Sequence, residues 1–188
     1  MRRLTRFTIK KIDITFVIIP AIGDGSCMFH SILQAFNRTY IKSDRKDKQL
    51  ICKKFRSDLG NVLSHQIKGQ KIYDSLSRGG LSELSEVLPE TSLINMRRSL
   101  NSNEWGDIRF LELISNMLEL NIIVIDYSKK DIYITGDKEL YIKKNRDTIF
   151  IANTDNCHFD TVGLEINGYI RTVFKYDESM ISKLFKIP

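Results

Sequence analysis

The chain has 188 residues, 42% of them hydrophobic and 28% charged, with a net charge of +6 and three cysteines, Cys27, Cys52 and Cys157. That length fits one domain and buries a sizeable core without staples. The cysteine count is odd and too small for a disulfide scaffold, which points to a reducing, intracellular compartment, and no apolar run approaches bilayer length.

The basic start carries Arg2, Arg3, Arg6, Lys10 and Lys11. The apolar run behind it, Ile14 to Ile22, is interrupted by Thr15 and Pro20 and ends in Gly23-Asp24-Gly25 rather than a cleavage pattern. It reads as a strand from about Asp13 to Ile19, not as a signal peptide. A glycine-bearing turn follows, and then a helix from about Cys27 to Asn37, with Phe29, Ile32, Leu33 and Phe36 at helical spacing. A second helix is expected from Asp44 to Gln66. Ser43 is its candidate cap, and Leu50, Ile51, Phe55, Leu59, Val62 and Leu63 form its apolar stripe. Short helices are expected between Gln70 and Leu100, broken by Gly79-Gly80 and Pro89.

Another helix is expected from Trp105 to Leu120, with Ile108, Leu111, Ile114, Met117 and Leu118 on one face. Glu104 and Asp107 at its start suit the helix dipole. The hydrophobic period then changes to two. Strands are expected at Asn121–Tyr127, Ile132–Thr135, Thr148–Asn153, Phe159–Leu164 and Tyr169–Phe174, with a last short helix over Glu178–Phe185. Helices early and strands late imply an α+β fold, a small and mostly antiparallel sheet flanked by helices.

Cys27 stands at the expected N-terminus of a helix, where unpaired backbone N–H groups place partial positive charge beside the sulfur. A depressed thiol pKa is expected there. The backbone N–H groups of Asp24, Gly25, Ser26 and Cys27 are candidates for an oxyanion hole. Cysteine catalysis also needs a base. Of the three histidines, His30 lies one turn into the Cys27 helix, and His65 ends a polar helix. His158 stands at a loop-to-strand junction. Alternate residues share a strand face, so His158 and Asp160 lie on one side and Phe159 on the core side. Asp160 can then accept from the imidazole and fix its tautomer; Asn156 is the fallback.

The segment Asp24-Gly25-Ser26-Cys27-Met28-Phe29-His30-Ser31 resembles the nucleophile box of ovarian-tumour (OTU) cysteine proteases. That family usually has Asn at the position of Ser26 and commonly Leu at the position of Met28. Glu104-Trp105-Gly106-Asp107-Ile108 with its helix and following strand resembles a second landmark, and His158-Phe159-Asp160 a third. The three occur in the family's order across about residues 20–164, leaving residues 1–12 as a basic extension and 165–188 as a C-terminal strand and helix. The resemblance implies a single papain-like OTU domain over residues 1–188.

It further implies a deubiquitinase that hydrolyses the bond after the C-terminal Gly of ubiquitin or another Gly-Gly-tailed modifier. Cys27 would be the nucleophile, His158 the base and Asp160 its orienter. The family often assigns the box aspartate to the active site; for Asp24 a loop-shaping role is expected ahead of a charge role. Trp105, Glu104 and Asn156 are candidate substrate contacts. No metal or cofactor is required. The expected partners are ubiquitin or polyubiquitin, for a monomeric protein that engages neither nucleic acid nor membrane. The build resembles the stand-alone OTU proteases of viruses and intracellular bacteria; the expected location is the cytoplasm, that of a host if the source is a virus or pathogen. Other readings stay open on residues alone: an inactive ubiquitin-binding module, a zinc site from Cys27, His30, Cys157 and His158, or a basic nucleic-acid-binding protein. Against the last, the basic residues lack interleaved aromatics.

Overall fold

A computed structural model describes residues 4–10, 13–64, 92–102, 111–133, 145–154 and 158–185. The strands are β1 (Arg6–Ile9), β2 (Ile14–Ile19), β3 (Leu120–Asp126), β4 (Asp131–Tyr133), β5 (Asp147–Asn153), β6 (Phe159–Ile166), β7 (Tyr169–Arg171) and β8 (Val173–Phe174). The helices are α1 (Cys27–Phe36), α2 (Arg38–Lys42), α3 (Arg45–Val62), α4 (Leu93–Asn101), α5 (Leu111–Leu118) and α6 (Ser179–Phe185). The sheet runs β1-β2-β6-β5-β3-β4, with β7 joined to β6 and β8 to β5. The β3–β5 pair is parallel and the other pairs are antiparallel. The architecture is the expected α+β arrangement.

The central strands are apolar on both faces, as doubly covered strands must be. Ile122, Val124, Ile149 and Ile151 face the side carrying α1, α3, α4 and α5. Ile123, Ile125, Phe150 and Ala152 face the other side, where Phe7, Phe16, Phe174 and Ile181 close a second core. The basic N-terminal stretch contributes an added strand. β1 pairs with β2 from Arg6↔Val17 to Ile9↔Ile14, and Phe7 and Ile9 are buried.

Several expected boundaries move. The cap of α3 is Asp44, whose carboxylate accepts from the Asp47 N–H at 2.9 Å. Ser43 instead closes the short helix α2, its hydroxyl donating to the Thr39 carbonyl. The buried face of α3 is Cys52, Arg56, Leu59 and Gly60, while Leu50 is 57% and Val62 46% exposed. A polar residue turns inward because this face meets the loop before Cys27, whose polar groups need partners.

The single strand expected at Tyr169–Phe174 is two. Asn167 and Gly168 form a two-residue turn with positive φ, and β7 then pairs with β6. β8 pairs with β5. A Cβ at Gly163 would meet the Arg171 carbonyl oxygen at 2.8 Å, so only glycine allows this close approach. The expected helices over residues 70–91 and the helix start at Trp105 lie outside the described residues.

Candidate active site

Cys27 begins α1, directly after a loop that leaves the end of β2. Gly25 in that loop has φ +78°, a conformation that glycine adopts without strain. Ser26 is the N-cap residue by position, yet its side chain caps nothing. Its hydroxyl accepts from Nη1 of the buried Arg56 at 2.6 Å. Arg56 also donates to the Ser99 carbonyl and stacks over Phe29, 4.6 Å from the ring centre. The first turn of α1 is thus left open beside the sulfur, with no acidic side chain on it.

Asp24 holds the loop from the other side. Its carboxylate accepts from the Ser26 N–H at 3.1 Å and from the Gln49 amide at 3.1 Å. The His30 ring pairs with it through Nε2, and Nδ1 of His30 lies 2.7 Å from the Tyr40 hydroxyl. Burial pushes the Asp24 carboxyl up, but Gln49, His30 and the Ser26 N–H outweigh it and hold the group below its ordinary range. Burial pushes His30 down, against the pull of Asp24. Asp24 therefore ties the loop to α1 and α3 through its carboxylate, with the His30 ring and the Gln49 amide as its side-chain partners. The Ser26 N–H is turned back onto Asp24. That removes it from the four expected oxyanion donors and leaves those of Asp24, Gly25 and Cys27 as candidates.

β6 delivers the second half of the site. Ile19 pairs with Thr161, so the loop after β2 runs past the start of β6. Phe159 is buried, and His158 and Asp160 meet on the other side. His158 Nε2 lies 3.0 Å from Asp160 Oδ1. The Ala21 N–H donates to the same oxygen at 2.8 Å, and the Thr154 hydroxyl donates to Oδ2 at 3.0 Å. The Cε1–Nδ1 edge of the ring faces Gly23, whose Cβ, were it present, would lie 3.5 Å from Cε1 and 3.8 Å from Nδ1.

The Cys27 thiol departs from expectation. Burial pushes its pKa up, against the backbone N–H groups of Phe159, Met28 and Cys27, and the charge of Asp160 adds to the rise. The helix terminus acts in the expected direction but does not outweigh desolvation. Cys52 lies behind the loop and is pushed up to about 12 by burial, which makes it an inert thiol.

Trp105, Glu104, Asn156 and Cys157 lie outside the described residues. Among the described residues no cluster of three or more His, Cys, Asp or Glu could hold a metal ion. Both ring nitrogens of His30 are already engaged. Arg56, Gln49, Tyr40 and Thr154 were missed in the sequence. Only Arg56 carried a signal, as a cation on an otherwise apolar stripe. No helix among the described residues is long and apolar enough to cross a membrane.

A thiol at a helix N-terminus, met by the backbone N–H of Phe159, and on the preceding residue an imidazole backed by a buried carboxylate are the parts of a cysteine hydrolase site. The family profile of OTU-like cysteine proteases matches residues 22–152. The chain belongs to that family.

Among solved structures, an OTU domain in complex with ubiquitin aligns with TM-score 0.56 and 17% identity, over 91% of this chain and 81% of that one. An OTU deubiquitinase from Wolbachia pipientis aligns with TM-score 0.46 and 18% identity, over 78% and 87%. The Hazara virus OTU bound to ubiquitin aligns with TM-score 0.46 and 18% identity, over 87% and 89%. No curated protein sequence matches the chain.

Proposed function

We propose that the protein is a cysteine-dependent deubiquitinase, with Cys27 as nucleophile, His158 as general base and acid, and Asp160 as the group that orients His158. The observation that carries this reading is the junction of α1 with β6. The N–H of Phe159 reaches the Cys27 sulfur, while His158, one residue earlier, is tied to Asp160 at 3.0 Å. Membership of the family and the similarity to an OTU domain in complex with ubiquitin support ubiquitin as the partner.

With Nε2–H donated to Asp160, Nδ1 carries the lone pair. It takes the thiol proton as the sulfur attacks the carbonyl carbon of the C-terminal glycine. The N–H groups of Gly25 and Cys27 receive the oxyanion, with that of Asp24 as the third candidate. The C–N bond then breaks, and His158 returns the proton to the leaving amine. Water, deprotonated by the same nitrogen, hydrolyses the thioester and restores the thiol. A thiol held protonated by burial suits this general-base sequence better than a standing ion pair. Other Gly-Gly-tailed modifiers present the same scissile group and form the second substrate class.

The test is reaction with ubiquitin carrying a thiol-reactive C-terminus, read by intact mass. One adduct on the wild type and none on Cys27→Ala is the expected result. An adduct that persists in Cys27→Ala refutes the nucleophile. No adduct on the wild type refutes ubiquitin, and the same probe on other Gly-Gly modifiers then identifies the substrate.

A further inference from the structure

Beyond the three residues already placed in the reaction, we propose that Thr154 is a positioning residue. Its hydroxyl locks the Asp160 carboxylate in the plane that orients His158. This rests on the reading of Cys27 and His158 as the reacting pair.

β5 ends at Asn153, which pairs with Phe159 at the start of β6. Thr154 and His158 extend that ladder by one step, with the Thr154 N–H donating to the His158 carbonyl at 2.9 Å. The backbone of Thr154 therefore holds the backbone of His158. Its side chain reaches further. Oγ1 lies 3.0 Å from Asp160 Oδ2 and 3.4 Å from the His158 carbonyl. A hydroxyl has one proton to give, and the nearer, charged oxygen takes it.

Asp160 is 8% exposed, so its carboxylate depends on protein donors. The Ala21 N–H and the His158 ring both bind Oδ1. Two donors on one oxygen fix a point and leave the carboxylate able to turn about it. Thr154 binds the other oxygen, so among the described residues it supplies the contact that fixes the plane. A carboxylate free to turn offers the imidazole more than one direction, and Nδ1 then spends less time aimed at the sulfur.

The experiment compares Thr154→Val and Thr154→Ser in the full chain, with ubiquitin bearing a C-terminal fluorogenic amide as substrate. Valine keeps the shape and the backbone N–H; serine keeps the hydroxyl. Thr154→Val is expected to lower kcat about tenfold, the effect of losing one hydrogen bond to a charged group, with KM changed less than about twofold. Thr154→Ser is expected to stay close to wild type.

In an Asp160→Ala background Thr154→Val should add nothing, because its route of action is gone. Wild-type kcat in Thr154→Val overturns the proposal. So does a loss that Thr154→Ser shares, or one that multiplies with Asp160→Ala. Rates are taken per mole of Cys27 that reacts with the ubiquitin electrophile, so misfolded protein does not count. If the wild type turns over no ubiquitin substrate, the ubiquitin reading fails, and the comparison moves to alkylation of Cys27 by iodoacetamide. The same order, wild type and serine fast and valine slow, then supports Thr154, and equal rates overturn it.

Discussion

Burial is the largest influence on the Cys27 thiol, and it raises the pKa. Three backbone N–H groups oppose it and Asp160 reinforces it. Because the net shift is upward, the thiolate is the minor form at neutral pH, and in the proposed mechanism reaction waits on proton transfer to His158. Alkylation of Cys27 by a small neutral electrophile, followed by peptide mass, should rise with pH through an inflection above the ordinary thiol value of about 8.5. An inflection below neutrality would mean a standing thiolate–imidazolium pair instead. Position by position, the loop shows why Ser26 serves where the family usually has Asn. Its hydroxyl is an acceptor for Arg56, and its N–H is an anchor for Asp24, so neither is spent on the helix it precedes. That diversion is what leaves the end of α1 open.

At the scale of elements, α3 decides how firmly the loop before Cys27 is held. It supplies Gln49 to Asp24 and Arg56 to Ser26, and its start is fixed by Asp44. Asp44→Ala should cost about 1 kcal/mol of stability in urea unfolding, the usual value of an N-cap carboxylate. Ser43→Ala should cost less, since the Ser43 hydroxyl only donates back to a carbonyl of the five-residue α2. The reverse order would restore Ser43 as the cap. The sequence could not separate two adjacent cap-type residues, because both match the same signal. What separates them is α2, a helix too short to show a period. The same limit hid the break between β7 and β8, where β-branched and aromatic residues run on without a gap while the hydrogen-bond partner changes from β6 to β5.

For the whole molecule, the N-terminal hairpin completes the second core. Phe7 stacks on Phe16 at 5.6 Å and meets Tyr127 edge-on at 5.3 Å, and Phe16 in turn packs on Phe150. Phe7→Ala should therefore lower stability by about 3 kcal/mol or more, a typical cost for emptying a buried aromatic site. The kcat of the folded fraction should stay at the wild-type value, because Phe7 belongs to the cluster on the far face of the sheet from Cys27. A loss of kcat without a loss of stability would place this hairpin in substrate binding instead. Lys54 pairs with Asp58 and Lys175 with Asp147 on exposed surface, where such pairs contribute little.

The fold class, the meeting of His158 with Asp160 and the place of Cys27 at a helix start were legible in the amino-acid order alone, because each rests on local periodicity or on contiguous residues. A period-two run places His158 and Asp160 together whatever lies around them, and a glycine-bearing turn before an apolar helix places Cys27 at a helix start. Tertiary structure alone decided the rest. Desolvation of the sulfur depends on how α1 is buried between sheet and helices. The fate of the Ser26 hydroxyl depends on Arg56, 30 positions away, and the second oxygen of Asp160 depends on Thr154 across a strand pair. Hydrogen bonds and burial are set by which groups meet in space, and those meetings carry no period along the chain.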